Sequence, residues 1–151
     1  MGNFQYLLII VGVFALDRGS KFLVGLGYRN GHPIFFRTGF FSLRYIKNSG
    51  GAFGLFPRRS FLFLGITLIA VGMLAYLLFF SNLRHTVTKL GLALLLGGSL
   101  GNLVDRILSG AVVDFIRIWK APIFNVADIA IVGGAGLVLF TLTGGMKLLG
   151  Q

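Results

Sequence analysis

Four long apolar segments constrain the fold of this chain more than any other feature of its sequence. They lie at about 4–26, 60–80, 90–108 and 123–143, and each has the roughly 20 mostly apolar residues that a helix needs to cross a bilayer. Backbone groups inside a bilayer must be paired within their own segment, so such segments predict helices. We expect an all-α membrane protein with four transmembrane helices, formed by residues 1–151 as one domain.

The composition supports a membrane protein and argues against other classes. Hydrophobic residues make up 56% of the 151 residues and charged residues only 12%, about half the share found in soluble domains. Cysteine is absent, so no disulfide is expected. The net charge of +10 could indicate a nucleic-acid partner, but the basic residues lie between apolar segments. That arrangement favours anionic lipid headgroups as the partner of the basic residues, and a nucleic-acid partner is not expected.

The connection at about 27–59 differs from the others in its length and pattern. It contains the alternating stretch FFSLRYIKN, in which Phe41, Leu43 and Tyr45 would share one face of a strand. Asn48 precedes small residues in NSGGAFG, which is typical of a hairpin turn or of a backbone that closely approaches another group. We expect a small β-sheet at the membrane surface here, and loops in the two shorter connections.

The acidic residues gather at one side of the predicted bundle. The chain has four, all aspartate, and four spans place the connections at 27–59 and 109–122 on the same side. Asp17 falls late in the first span and Asp105 late in the third. Asp114 falls in the loop that follows the third span, and Asp128 early in the fourth. Ionisable groups near a membrane are costly, so such a cluster predicts a functional site.

Two of these aspartates have polar partners at helical spacing. Asp17 precedes Lys21 by four residues, the favourable order for an ion pair on one helix face. The pair could orient other groups at the site, or it could lie at a helix end with Lys21 reaching the interface. Asn102 and Arg106 share a face of the third span, with Asp105 one step to the side.

The segment GGSLG in the third span matches two known patterns. Gly97 and Gly101 form a GxxxG face for helix packing. The same letters match the GxSxG pattern around Ser99, but that pattern requires a strand–turn–helix junction, whereas Ser99 lies inside an apolar helix. The histidines, His32 and His85, are expected on opposite sides of the membrane. A serine hydrolase is therefore not expected, and the few His and carboxylate residues do not suit a zinc site.

Asp114 and Asp128 are the aspartates best placed to react as a pair. Each has an ordinary alternative, as a loop acid or as an acid stabilised by a helix N-terminus. Both are expected at one depth, on adjacent spans, with Asn125 on the same helix face as Asp128. Two close carboxylates share one proton near neutral pH, which is the chemistry of aspartic proteases.

The motifs DRGSK, NSGGAFG, GGSLGNLVDRILSGAVVDFI and FNVADIAI, in this order on four spans, resemble those of the bacterial lipoprotein signal peptidases. The resemblance runs from about residue 17 to 131, with departures at Arg18, where the family more often has Gln, and at Gly51, where Ala is common. It implies an aspartic endopeptidase that needs no cofactor or metal. Such enzymes cut prolipoproteins before the diacylglyceryl-modified cysteine, using water activated by two aspartates.

By position, the resemblance implies that Asp114 and Asp128 are the catalytic pair. Supporting or substrate-binding positions match at Asp17, Lys21, Asn48, Gly98, Asn102, Asp105, Arg106, Asn125 and Ala127. It further implies three kinds of partner: lipidated prolipoproteins, membrane phospholipids and inhibitory cyclic peptides of the globomycin type.

Charge and resemblance disagree about orientation in the membrane. Most of the 14 basic residues share the side of the aspartates, and only Arg84, Lys89 and Lys147 lie on the other. The positive-inside rule would place the aspartates in the cytoplasm. The resemblance implies a multi-pass inner-membrane protein with cytoplasmic termini and an extracytoplasmic active site. We expect this second orientation, because basic residues in a folded, substrate-facing region can serve lipid headgroups.

Two other function classes agree less well with the sequence. A small transporter would use clustered intramembrane charges, but near the bilayer midplane rather than at one end. A lipid-modifying transferase would use several acids to hold a metal against a phosphate, and the sequence has no D-x-x-D cluster. Counterflow transport without cleavage would indicate the first class, and loss of activity with a chelator the second.

Overall fold

Four helices and a small antiparallel sheet make up the described part of the chain. The computed structural model describes residues 3–31, 34–49 and 60–144. Their elements follow the order α1 Phe4–Arg29, β1 Ile34–Arg37, β2 Phe41–Asn48, α2 Ser60–Phe80, α3 Thr86–Ser109, β3 Val112–Ile118 and α4 Val126–Leu142.

The predicted apolar segments all form helices, and the differences lie at their ends. α2 coincides with the predicted segment, whereas α1 continues to Arg29, α3 begins at Thr86 and α4 begins at Val126. α3 ends at Ser109 and is followed by Gly110 as its C-cap, whose φ of +68° lies in the left-handed region that glycine adopts without a steric penalty. Among the described residues, two helices, Phe61–Phe80 and Thr86–Ser109, are long and apolar enough to cross a membrane.

α3 lies at the centre of the helices and packs against the other three. The predicted packing face at Gly97 and Gly101 is confirmed, and it faces α1. A Cβ on Gly97 would lie 2.9 Å from the Cβ of Val13, and a Cβ on Gly101 would collide with the carboxylate of Asp17. Glycine at these positions therefore brings the polar end of α1 against α3.

Close backbone contacts also set the register of α3 against α4. A Cβ on Gly91 would lie 2.7 Å from the carbonyl oxygen of Gly134, and a Cβ on Gly98 would lie 2.5 Å from that of Ala127. The two contacts are the same number of residues apart on both helices, so the antiparallel pair keeps one register along its length. This register places the first turn of α4 beside residues 96–99 of α3, about one turn before Asn102.

The sheet has the strand order β1-β2-β3, and both pairs are antiparallel. β2 and β3 pair from Asn48 with Val112 at one end to Phe41 with Ile118 at the other, with a shift in register between Leu43 and Ile46. The prediction of a small sheet in residues 27–59 is confirmed by β1 and β2. The register shift interrupts the simple alternation that was expected along β2.

Two predictions about the connection at 109–122 were wrong. It was expected to be a loop, with Asp114 as a loop residue, and the sheet was expected to lie between the first two helices alone. Residues 112–118 instead form β3, and Asp114 is opposite Ile46 of β2. The stretch VVDFIRI is rich in β-branched and aromatic residues, which suit a strand, and pairing with β2 satisfies its backbone groups.

Candidate active site

All four aspartates lie in one connected cluster of polar side chains where the helices meet the sheet. Every element except β1 and α2 contributes to it, and its members are Asp17 and Lys21 of α1, Asn48 of β2, Asn102 and Asp105 of α3, Asp114 of β3, and Asn125 and Asp128 at the start of α4. The gathering of the aspartates at one side, expected from the sequence, is thus a direct network of contacts.

Asp114 is buried on β3 and is held by two side-chain amides. Its Oδ1 accepts a hydrogen bond of 2.7 Å from Asn125 Nδ2, and its Oδ2 accepts one of 2.9 Å from Asn48 Nδ2. Because Asn48 pairs in register with Val112, the sheet itself brings the Asn48 amide to the carboxylate.

Asp128 lies in the first turn of α4 and takes part in the capping of that helix. Asn125 is the N-cap: its Oδ1 accepts a 2.9 Å hydrogen bond from the Asp128 amide, and Asp128 Oδ2 accepts one of 3.1 Å from the Asn125 amide. This reciprocal arrangement is a capping box. Asp128 Oδ1 in turn accepts a 2.9 Å hydrogen bond from Asn102 Nδ2.

Asn125 joins the two predicted catalytic residues. Its side chain is completely buried, and Nδ2 donates to Asp114 Oδ1 at 2.7 Å, Asn102 Oδ1 at 3.1 Å and the Val113 carbonyl oxygen at 3.3 Å. The same residue therefore starts α4, orients Asp128 and holds Asp114.

Burial raises the pKa of Asp114 from 3.8 to about 6. The hydrogen bonds from Asn48 and Asn125 oppose this increase because they stabilise the ionised carboxylate, and the negative charge of Asp128 adds to it. Asp114 can therefore hold a proton much closer to neutral pH than an exposed aspartate can.

Lys21 is the centre of the supporting part of the cluster. Its ammonium group is buried and lies 2.8 Å from Asp17 Oδ2, 2.7 Å from Asp105 Oδ2 and 3.1 Å from Asn102 Oδ1. The expected Asp17–Lys21 pair is thus present, and it points into the cluster rather than to the interface. Removing one partner of such a buried charge pair costs about 3–5 kcal/mol, because the remaining charge is left uncompensated.

Asp17 and Asp105 fix backbone as well as charge. Asp17 Oδ1 accepts a 3.0 Å hydrogen bond from the Ala127 amide in the first turn of α4. Asp105 Oδ2 accepts a 3.2 Å hydrogen bond from the Val113 amide beside Asp114. Each of these aspartates therefore holds the chain next to one member of the predicted pair, in keeping with a scaffold role.

Arg18 also contacts the cluster, which the sequence reasoning missed. Its guanidinium group forms an ion pair with Asp105 Oδ1. Arg18 was noted only as a departure from the pattern of the family, and its position next to Asp17 gave no indication of a partner so distant in the chain. The other departure, Gly51, lies outside the described residues, as do His32 and most of the NSGGAFG motif.

Asp114 and Asp128 line the same cavity of about 300 Å³. Its polar wall also includes Asn48, Asn102 and Arg106, and Arg106 Nη1 donates to the carbonyl oxygen of Asn102 at 3.4 Å. The apolar part of its wall is formed by Val112, Pro122, Ile123, Phe124, Ile131 and Val132. A cavity with both charged and apolar lining suits a substrate that combines a peptide with an apolar group.

The described residues contain no group of three or more His, Cys, Asp or Glu side chains that could hold a metal ion. Lys21 and Arg18 pair with the supporting aspartates Asp17 and Asp105, and Arg106 lines the cavity that contains Asp114 and Asp128.

Known proteins match this chain along most of its length. A family model described as signal peptidase (SPase) II matches residues 9–143. The lipoprotein signal peptidase of Pelotomaculum thermopropionicum is 42% identical over 141 residues, covering 91% of each chain. That of Moorella thermoacetica is 40% identical over 140 residues, again covering 91% of each chain.

Solved structures give the same result for the fold. A bacterial membrane enzyme determined by the in meso method at 2.3 Å resolution matches with a TM-score of 0.85 and 29% identity, covering 94% of this chain and 89% of that one. A second, determined by the same method at 1.9 Å resolution, matches with a TM-score of 0.78 and 29% identity, covering 91% and 92%.

Proposed function

Because the chain belongs to the signal peptidase II family and removes signal peptides from prolipoproteins, we propose that Asp114 and Asp128 carry out this cleavage as an aspartic dyad. The observation that carries the proposal is their connection: both carboxylates line one cavity, and the buried amide of Asn125 joins them. This arrangement provides two acids that can share one proton beside a space for the substrate.

In the proposed mechanism, a water molecule lies between the two carboxylates. The ionised carboxylate takes a proton from this water as it attacks the scissile carbonyl carbon. The protonated carboxylate donates its proton to the carbonyl oxygen, which gives a tetrahedral intermediate. As the intermediate collapses, the carboxylate that took the water proton passes it to the leaving amine, and the other carboxylate recovers its proton from a hydroxyl of the intermediate. The raised pKa of Asp114, about 6, supports a pair that keeps one shared proton close to neutral pH.

The remaining polar residues position this pair. Asn48, Asn102 and Asn125 hold the carboxylate oxygens, and Arg106 lies at the cavity wall, where it can contact the substrate backbone. Fixed geometry of this kind supplies much of the rate enhancement in enzymes, because the reacting groups need no further ordering.

The apolar wall of the cavity supports a lipidated substrate. Ile131 and Val132 line it, and Val132 is 72% exposed on the outside of α4. Acyl chains of a diacylglyceryl-modified cysteine could therefore lie along α4, which would place the preceding peptide bond at the dyad. Cyclic peptides of the globomycin type would occupy the same cavity.

The placement of the chain in the membrane is also part of the proposal. Besides the two helices that are long and apolar enough to cross a bilayer, α1 and α4 expose large apolar side chains, among them Leu8, Leu16, Val132 and Leu139. A helix with apolar residues facing outward is stable in lipid. We place all four helices across the inner membrane, with cytoplasmic termini, phospholipid around them and the cavity on the extracytoplasmic face.

The dyad is tested by measuring the cleavage of a diacylglyceryl-modified prolipoprotein with purified wild type and the variants Asp114→Asn and Asp128→Asn. We expect each variant to lose cleavage by at least about three orders of magnitude, since an amide can neither act as the base nor donate the shared proton. A chelator should leave the wild-type rate unchanged.

All four aspartates of the chain lie in the cluster, so none is left to mutate as a matched control. Folding is therefore checked on each variant directly. Each variant should insert into the membrane and unfold thermally within a few degrees of wild type. Substantial turnover by either purified, folded variant would refute the dyad.

A further inference from the structure

The end of the sheet away from Asn48 forms a second cavity. There β2 begins at Phe41 and β3 ends at Ile118, opposite each other, and the Trp119 amide donates a 2.6 Å hydrogen bond to the Phe40 carbonyl oxygen. We call residues 37–44 and 117–120 the sheet tip. Its cavity measures about 300 Å³, and its lining includes Arg37, Arg44, Arg117, Phe40 and Trp119.

The sheet tip carries positive charge that no aspartate neutralises. Arg37, Arg44 and Arg117 are exposed around the one cavity. The four aspartates of the chain all lie in the active-site cluster, where their ion pairs are with Arg18 and Lys21. Several guanidinium groups around a concave surface attract an anion, and their planar donors match the oxygens of a phosphate.

Two large aromatic side chains flank this charge. Phe40 is 63% exposed and Trp119 is 64% exposed, and Lys120 Nζ lies 5.4 Å from the centre of the Trp119 ring. Trp119 has a φ of +47°, which is unusual for a bulky residue and ends the strand with its ring on the surface. Exposed aromatic rings beside basic residues are typical of segments that lie at a membrane interface.

We propose that the sheet tip docks on the membrane surface by binding the headgroup of an anionic phospholipid. Its phosphate lies between Arg37, Arg44 and Arg117, and the rings of Phe40 and Trp119 lie among the neighbouring headgroups. Charge complementarity selects an anionic lipid over a neutral one. The exposed rings favour a lipid over free phosphate, because free phosphate gives them no apolar environment.

This docking would also control the depth of the active site. β3 connects Trp119 to Asp114, and five residues of strand span roughly 16 Å at about 3.3 Å per residue. A tip held at the headgroups therefore holds the reacting carboxylate at a fixed distance from them. The inference rests on the proposed membrane placement, but not on the proposed dyad.

Trp119 provides a direct test, because it is the single tryptophan of the chain. Full-length protein is reconstituted into vesicles of phosphatidylcholine and phosphatidylglycerol, with brominated chains on one lipid or the other. We expect brominated phosphatidylglycerol to quench Trp119 more strongly at equal mole fraction. Arg37→Gln and Arg44→Gln should each weaken this preference by about five-fold, and high salt should weaken it further.

Two variants serve as controls. Arg117→Lys keeps the charge and should retain most of the preference, whereas Arg84→Gln removes an exposed arginine between α2 and α3, at the opposite end of the helices, and should retain all of it. Equal quenching by the two lipids in wild type would overturn the proposal. So would an unchanged preference in Arg37→Gln and Arg44→Gln.

Free phosphate is distinguished by competition. If inorganic phosphate abolishes the preference and sodium chloride of equal ionic strength does not, the tip is a phosphate site and lipid docking is wrong. If the two salts act equally, headgroup docking stands. Cleavage is not measured in any arm, so the result is independent of whether Asp114 and Asp128 form the dyad.

Discussion

At the scale of single residues, every oxygen of the two carboxylates in the proposed dyad accepts a hydrogen bond from an amide. Asp114 accepts from Asn48 and Asn125, and Asp128 accepts from Asn102 and from the backbone of Asn125. Amides do not titrate in the physiological range, so these donors fix the carboxylates without supplying protons. In the proposed mechanism, the proton used in cleavage must therefore be carried by the two carboxylates or by the water between them.

The raised pKa of Asp114 predicts the pH dependence of cleavage. The group is protonated below its pKa of about 6 and ionised above it, and the proposed mechanism requires one proton on the pair. We expect kcat/KM to fall about ten-fold for each pH unit above this value, because the ratio reports the free enzyme. The measurement is a pH–rate profile with a lipidated substrate at concentrations below KM.

The variant Asn48→Ala tests the direction in which this profile shifts when the pKa of Asp114 changes. The hydrogen bond from Asn48 lowers the pKa of Asp114, so its removal should move the alkaline limb to higher pH. Ser42→Ala, at the other end of the same strand, should leave the limb in place. A limb that moves to lower pH in Asn48→Ala would contradict the assignment of the limb to Asp114.

Some of these residue contacts could be predicted from the sequence and others could not. Asp17 with Lys21, and Asn125 with Asp128, are neighbours along a helix, so their spacing alone indicates a contact. The pairing of Arg18 with Asp105 joins residues 87 positions apart, and no local pattern contains that information. Asn125 was expected to share a face with Asp128, but its hydrogen bond to Asp114 depends on the strand that was missed.

At the scale of elements, the glycines between α3 and α4 offer a matched pair of substitutions. A Cβ on Gly134 would lie 2.5 Å from the Gly91 carbonyl oxygen, whereas a Cβ on Gly133 would have nothing within 4 Å. We expect Gly134→Ala to destabilise the protein by about 1–3 kcal/mol, because α4 must move away from α3. Thermal unfolding in detergent measures this effect.

Gly133→Ala is the control, since it changes the same helix by the same methyl group. It should be neutral or stabilising by up to about 1 kcal/mol, because alanine favours a helix more than glycine does. Equal unfolding temperatures for the two variants would show that the close contact between α3 and α4 does not limit stability.

A helix or strand could be predicted from the sequence where its segment suits only one kind of secondary structure. α2 is a continuous apolar segment of 21 residues, and in lipid only a helix satisfies its backbone. β3 is seven residues long and follows an apolar helix, so its hydrophobic residues were taken as part of a loop region. The signal that could have identified it is the density of Val, Ile and Phe in VVDFIRI.

At the scale of the whole molecule, the proposed orientation can be tested with single cysteines, because the chain has none of its own. Ala121→Cys lies in the exposed turn after β3, and Asn82→Cys lies in the exposed connection after α2. An impermeant thiol reagent applied to intact spheroplasts should label the first variant, and it should label the second only after permeabilisation. The reverse pattern would place the active site in the cytoplasm.

Lipid docking by the sheet tip would also explain why charge counting gives the opposite orientation. The positive-inside rule concerns basic residues in short loops that are free during insertion. Arg37, Arg44 and Arg117 instead belong to a folded sheet in which both neighbours of β2 are strands. On the proposed docking, their charge would reflect the surface they meet after folding rather than the direction in which the helices inserted.

The hydrogen bond from the Ala127 amide to Asp17 joins the first helix to the last, across 110 positions of the chain. A ribosome completes α1 long before it has made α4, so this contact cannot form while the earlier helices are entering the membrane. Asp128 arrives with the same late segment and occupies its position only when α4 docks against α3. If Asp114 and Asp128 form the proposed dyad, a nascent chain is inert towards proteins that pass through the same membrane, and it becomes a protease only when its synthesis has delivered the fourth helix.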